Sequence, residues 1–159
     1  MPSSTQNLPS QLNLPAADLS LRSGSNGVEV YDVLRQKWLL VTPEEWVRQH
    51  FVHFLMSHMG VPRGMIANEM GIRLNDMSRR CDSVVFDRSL KPLMIIEYKA
   101  PGVRIDRKVI DQIMRYNIVL KVPYLVVSNG LHHYCIKMDV EEGKCELLTR
   151  LPRYEELVL

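Results

Sequence analysis

Two neighbouring apolar segments carry three charged residues that could act together. CDSVVFD, from Cys81, carries Asp82, and LMIIEYKA, from Leu93, carries Glu97 and Lys99. Strand side chains alternate faces, so Glu97 and Lys99 share one with Leu93 and Ile95. Two charges at the end of a buried strand are costly unless something compensates them. If the turn around Ser89-Leu90 folds the two segments as a hairpin, positions whose numbers sum to about 179–181 face each other. Asp82 then meets the stretch Glu97 to Lys99. Two carboxylates and an ammonium so placed make a hard-metal site, the kind that holds Mg²⁺ with several of its waters. Such a metal acidifies a water and stabilises charge on a phosphorane-like transition state. The lysine would orient or deprotonate the attacking water and neutralise phosphate charge. The competing reading of the same three residues is a buried or rim salt-bridge cluster.

The surrounding pattern predicts the elements that hold them. VEVYDVL and KWLLV read as a hairpin turning near Arg35-Gln36. Thr42 is an N-cap, Pro43 suits the first helical position and Glu45 completes a capping box. The helix should run to about His58 and stop at Gly60. Val47, Phe51, Phe54, Leu55 and His58 form its apolar stripe, with Glu44 one turn ahead on the same face. ANEMGIRLN reads as a strand and NDMSRR as a turn or loop. CDSVVFD and LMIIEYKA are strands joined by DRSLKP. DRKVIDQIMRYNIVLK is a helix, VPYLVVSNG a buried strand, and HHYCIKMD and CELLT two short strands. The order is an α/β domain with a mixed sheet flanked by helices. Residues 1–27 are rich in Ser, Pro, Asn and Gly and read as a flexible or loosely docked arm. Residues 28–159 form the domain.

Composition excludes several classes. The 159 residues are 46% hydrophobic and 24% charged, with a net charge of +2, which suits one soluble domain and demands no acidic partner. No apolar run is long enough to cross a bilayer, and the N-terminus has no signal-peptide pattern. Cys81, Cys135 and Cys145 form no CxxC pair, so neither a zinc ribbon nor a disulfide framework is expected, and a cytoplasmic setting is the simplest. The five histidines make neither HxxxH nor HExxH; His132-His133 reads as a solvated strand start. Met56, Met59, Met65 and Met70 read as core fillers. Arg79-Arg80 reads as an exposed turn. No GxxxxGK[ST] occurs, so no ATP is expected.

The spacing D-x14-E-x-K resembles the signature of the PD-(D/E)XK nuclease superfamily, with Cys81 where that pattern has Pro. The order helix, three strands, helix, strand (αβββαβ) resembles its restriction-endonuclease-like core. Gln112 and Tyr116, one helical turn apart on a face with Lys108, resemble the QxxxY motif of one branch. TPEEWVRQ, RRCDSVVFD, IIEYKAP, DQIMRYN and VVSNGLHHYC make the stretch 31–148 similar to stand-alone relatives of the N-terminal nuclease domain of type I restriction enzyme R subunits. The resemblance implies Asp82 and Glu97 as metal ligands, with the Tyr98 carbonyl as a further one, and Lys99 as the catalytic lysine. Gln112 and Tyr116 would position the substrate or metal-bound waters. A helix glutamate often completes such sites; Glu44 is the first candidate, Glu45 and Glu69 the others. The implied cofactor is Mg²⁺ or Mn²⁺ and the implied activity a DNA endonuclease, a hydrolase of restriction, defence or DNA processing. The implied partners are DNA and a homodimer or larger restriction complex, without membrane. The alternative is a catalytically inactive nucleic-acid-binding or assembly module of the same fold.

Overall fold

The structure, a computed structural model, describes residues 11–74, 77–139 and 141–158, and their side chains except at Ile72, Leu74, Met77, Arg79, Tyr116, Ile118, Val119 and Leu120. Strands β1 (Leu21–Gly24), β2 (Gly27–Asp32) and β3 (Lys37–Leu40) form an antiparallel meander. Helix α1 (Pro43–Ser57) follows, then a single 3-10 turn (Arg63–Met65). A six-stranded sheet is built from β4 (Ile66–Leu74), β5 (Met77–Phe86), β6 (Pro92–Tyr98), β7 (Tyr124–Ser128), β8 (His133–Asp139) and β9 (Lys144–Leu148), in that spatial order. Helix α2 (Arg107–Leu120) connects β6 to β7, and a short α3 (Tyr154–Leu157) ends the described chain. The β6–β7 pair is parallel and every other pair antiparallel, so the expected mixed sheet and the order α1, β4, β5, β6, α2, β7 are present.

Both faces of the sheet are covered. Val47, Phe51, Val52 and Leu55 of α1 pack on Met94, Ile96 and Tyr98 of β6 and Val126 of β7. Ile113 of α2, with Val109, Ile110 and Met114, packs on Val84, Ile95, Leu125, Val127 and Ile136. Coverage from both sides is why β6 and β7 read as continuous apolar runs rather than alternating ones. The two long helices are each fixed at their start by a side chain. The Thr42 hydroxyl accepts from the Glu45 amide at 3.1 Å, and the Asp106 carboxylate from the Val109 amide at 3.0 Å. Among the described residues no helix is long and apolar enough to cross a membrane.

Five expectations are corrected by packing. The flexible arm expected over 1–27 is, from residue 11 on, built into the fold; residues 1–10 lie outside the described part. Leu12 is buried, β1 pairs with β2, and Asn13 donates its amide to the Gly130 carbonyl at 2.8 Å. Within NDMSRR, Met77 to Arg80 already belong to β5, because β4 offers a ladder that outweighs their polar character; Asn75 and Asp76 lie outside the described residues. On α1, Glu44 and His58 are exposed, whereas Glu45 is buried. The capping box is only half made: Thr42 caps the helix, but the Glu45 side chain turns to arginines instead. Met56, Met59 and Met65 do pack on the core, while Met70 is exposed.

Candidate active site

The candidate site lies where three strands of the large sheet part. The β5–β6 ladder pairs Ser83 with Ile96, Val84 with Ile95 and Val85 with Met94, then a bulge follows between Val85 and Phe86. Continued one step the other way, that register sets Asp82 against Glu97, but the ladder stops at Ser83. The Tyr98 amide donates to Asp82 Oδ2 at 2.9 Å. The Asp82 carbonyl accepts from Arg48 Nη1 at 3.3 Å. The structure thus brings Asp82 to the Glu97–Lys99 segment, with its carboxylate tied to the backbone between those two residues. Met94, Ile96 and Tyr98 face α1 while Ile95 faces α2, so alternation places Glu97 on the α2 side. Lys99 follows the strand's last residue, and its amide donates to the Ser128 carbonyl at 2.8 Å.

A cavity of about 70 Å³ opens beside Asp82, lined by Thr42, Glu44, Glu45, Arg48, Glu69 and Tyr98 as well. Charge there is organised around Arg48. Its guanidinium bonds Glu45 through Nε at 2.8 Å and again through Nη2, and Glu69 through Nη1 at 2.5 Å. Burial would lower the Arg48 pKa, but the hydrogen bonds and charges of Glu69 and Glu45 outweigh it and hold it above the ordinary value. Burial would raise Glu69; Arg48 and Arg80 reverse that and hold it below the usual carboxylate range. Glu45 also takes bonds from Arg35 at 3.0 Å and from Gln49 at 3.1 Å. Of the three glutamate candidates, Glu45 and Glu69 are therefore committed to arginines. Glu44 lines the cavity without an ion pair among the described residues.

A second network runs behind the site. The Tyr98 hydroxyl donates to Ser83 Oγ at 2.9 Å, Ser83 to Asn68 Oδ1 at 2.7 Å, and Asn68 Nδ2 to Asp32 Oδ2 at 3.1 Å. Burial drives the Tyr98 pKa far above its usual value, so the phenol stays a donor. Asp32 in turn holds Arg35 Nε at 2.6 Å. Sequence reasoning missed Arg48, Arg35, Asp32, Asn68 and Ser83. The signal was present: Arg48 follows Glu45 at the i, i+3 spacing of helical ion pairs.

The remaining expectations divide. Gln112 is exposed on α2, as is Lys108. The Tyr116 side chain lies outside the described residues. His133 is the exposed first residue of β8, as expected of a solvated strand start, and is also bonded at both nitrogens. Nε2 donates to the Asn13 carbonyl at 2.9 Å, so Nδ1 accepts from the Ser128 hydroxyl at 2.6 Å. Arg80 pairs with Glu69 rather than standing free in a turn. The donor chemistry at Asp82, Glu97 and the Tyr98 carbonyl suits a hard cation, which takes one or two carboxylates and keeps waters. Among the described residues no group of three or more His, Cys, Asp or Glu side chains is set to hold a metal. Of these groups the structure places the Asp82 carboxylate, through the Tyr98 amide, while alternation puts the Glu97 side chain on the α2 side.

The family model of the type I restriction enzyme R protein N terminus (HSDR_N) matches residues 43–152. The chain belongs to that family. The match starts at the first residue of α1 and takes in Asp82, Glu97, Lys99, Gln112 and Tyr116. Among solved structures, a fragment assigned as the HsdR subunit of a type I restriction enzyme from Vibrio vulnificus YJ016 is similar, with a TM-score of 0.51 and 19% identity over 72% of this chain. At that identity the likeness shows the fold, a restriction-endonuclease-like α/β core. This member of the R-protein N-terminal family spans about a quarter of that chain, 24%. No curated protein matches the chain.

Proposed function

We propose that this chain is a metal-dependent deoxyribonuclease that hydrolyses DNA phosphodiesters as part of restriction, defence or DNA processing. The observation that carries the reading is the Asp82 carboxylate, held by the Tyr98 amide at the point where β5 and β6 separate. Asp82, Glu97 and the Tyr98 carbonyl would hold Mg²⁺ or Mn²⁺. Bound there, the ion would acidify a water and polarise the scissile phosphate. Lys99 would place its ammonium against the phosphate and hold the attacking water. The Tyr98 amide fixes the Asp82 carboxylate in advance, so no reorganisation is needed on binding. Glu44 is the glutamate left to orient water from the α1 side of the cavity. Gln112 and Tyr116 on α2 would touch substrate from the other side. Family membership supports DNA as the partner and a larger restriction complex as the setting; a homodimer and a cytoplasmic setting are part of the same proposal.

A second reading is a non-catalytic nucleic-acid-binding or assembly module. It is favoured by one observation, the neutralisation of Glu45 and Glu69 by Arg48, which leaves few acids for a metal. Supercoiled plasmid separates the two. Nicking that needs Mg²⁺, stops with chelator and disappears in Asp82→Asn supports the nuclease. Salt-sensitive DNA binding without nicking in any divalent ion would sink it in favour of the binding module.

A further inference from the structure

Glu69 is the one β-strand residue, glycine apart, described with a left-handed backbone, at φ 55°. A side-chain-bearing residue pays for that conformation, and it persists only where the surroundings impose it. Its place in the sheet is telling. The β4–β5 ladder pairs Asn68 with Ser83 and Met70 with Cys81 and omits the row between them, Glu69 and Asp82. The β5–β6 ladder ends at the next position. Across that row the faces of β5 invert. Ser83 bonds Tyr98 and Asn68 on the α1 side, whereas Cys81, two residues away, is buried in the α2-side cluster. Residues two apart in a regular strand share a face. Asp82 is thus the pivot of a twist, released from main-chain pairing on both sides.

We propose that Glu69 is the positioning residue of the site. Its left-handed backbone, locked by Arg48 and Arg80, turns Asp82 out of the sheet so that its carboxylate meets the Tyr98 amide. The lock is double: Arg48 Nη1 holds Glu69 Oε1 at 2.5 Å and Arg80 Nε holds Oε2 at 2.9 Å. Arg48 also takes the Asp82 carbonyl, the group a continuing ladder would have used. One guanidinium therefore grips both members of the unpaired row. In this role Glu69 touches neither substrate nor metal, which separates it from a ligand. The inference deepens the nuclease reading and rests on it for its functional meaning.

The test replaces Glu69 by Gly, Ala and Val in the full chain. Glycine adopts φ near +55° freely, alanine less readily, and valine resists it most. Amide exchange by NMR on metal-free protein reads the protection of the Tyr98 amide, which depends on the Asp82 carboxylate. Protection should fall modestly in Glu69→Gly, which loses the arginine lock but adopts the conformation freely, further in Glu69→Ala and furthest in Glu69→Val. Mn²⁺ affinity should follow the same order, with Val losing roughly 10- to 100-fold, as for other supports behind a metal ligand. Equal loss in Gly and Val would overturn the proposal, because the carboxylate rather than the backbone would then be what matters. Unchanged protection in Ala would overturn it as well, and if Val does not fold, the Gly and Ala variants decide. A wild-type chain that binds no Mn²⁺ would end the nuclease reading, while the amide ranking still decides the role of Glu69.

Discussion

At Asp82 the side chain does what a neighbouring carbonyl would do in an ordinary sheet, and the consequence is directional. Asp82→Asn should abolish Mn²⁺ binding and plasmid nicking. It also removes a negative charge from the site proposed to take a polyanion, so metal-free DNA binding, read by a filter or anisotropy assay, should be unchanged or slightly tighter. Lys99→Ala should stop nicking too, yet weaken metal-free binding. An Asp82→Asn protein that still cuts, free of contaminating nuclease, would move the activity elsewhere. Asp32 makes a separate case. It is buried, and its carboxylate accepts from the Leu34 and Arg35 amides, Arg35 Nε and Asn68 Nδ2. Burial alone would raise its pKa, but the bonds from Arg35 and Asn68 pull it below the ordinary carboxylate value. A depressed folded value means stability that is complete above the unfolded pKa and lost as pH falls through the folded one. Asp32→Ala should therefore cost about 3 kcal/mol at neutral pH and flatten the acid limb of a urea-unfolding series from about pH 5 downward. The approach of Asp82 to the Glu97–Lys99 segment was legible from hairpin arithmetic alone. The identity of the buried glutamate was not, because Glu44 and Glu45 are adjacent on the first turn, where the apolar stripe has barely begun.

Elements were legible where burial wrote a period into the sequence. The caps and apolar stripe of α1, and the doubly covered β6 and β7, all left such marks. The elements held by pairing alone left little trace. β1 is exposed at three of its four residues and exists because β2 offers it an edge. The start of β5 is polar and is drawn into the sheet by β4. The twist at Glu69 had no sequence signal, since glutamate is not a residue expected at positive φ. Asn129-Gly130 did announce its turn, and the structure explains why glycine is required. Gly130 sits at φ 85°, and a Cβ there would lie 2.7 Å from Leu12 Cδ2 and 3.1 Å from Val47 Cγ2. Gly130→Ala should therefore destabilise by about 1–3 kcal/mol, through both backbone strain and overpacking. Urea unfolding checks it; a loss below a few tenths of a kcal/mol would mean that Leu12 is free to move aside.

The whole molecule turns on a segment whose composition suggested that it was dispensable. The N-terminal stretch is rich in Ser, Pro, Asn and Gly, and its leucines follow no period that would announce a core. Yet from residue 11 that stretch is strapped across the end of the fold that carries the site. Leu12 is buried beside Val47 of α1, and Asn13 bonds Gly130 and, through its carbonyl, His133. His133 in turn receives the Ser128 hydroxyl, and the Ser128 carbonyl takes the Lys99 amide. The strap therefore leads by continuous hydrogen bonds to the lysine of the candidate site. A chain that begins at Val28 loses the Leu12 anchor and the β1–β2 pairing, and it leaves the Gly130 carbonyl and His133 Nε2 to water. Deleting a buried leucine costs about 2–5 kcal/mol, and some of that is regained by relaxation. With about 2–4 °C per kcal/mol for a domain of this size, melting should fall by roughly 5–15 °C relative to a chain that begins at Gln11. Apart from Leu12 and the partly buried Leu14, the core clusters come from residues after Val28, so the shortened chain should still unfold in one cooperative step. If nicking is present, it should fall further than the loss of folded protein explains, because Ser128 and Lys99 lose their backing. Equal melting of the two chains would show that the strap rests on the surface without supporting it.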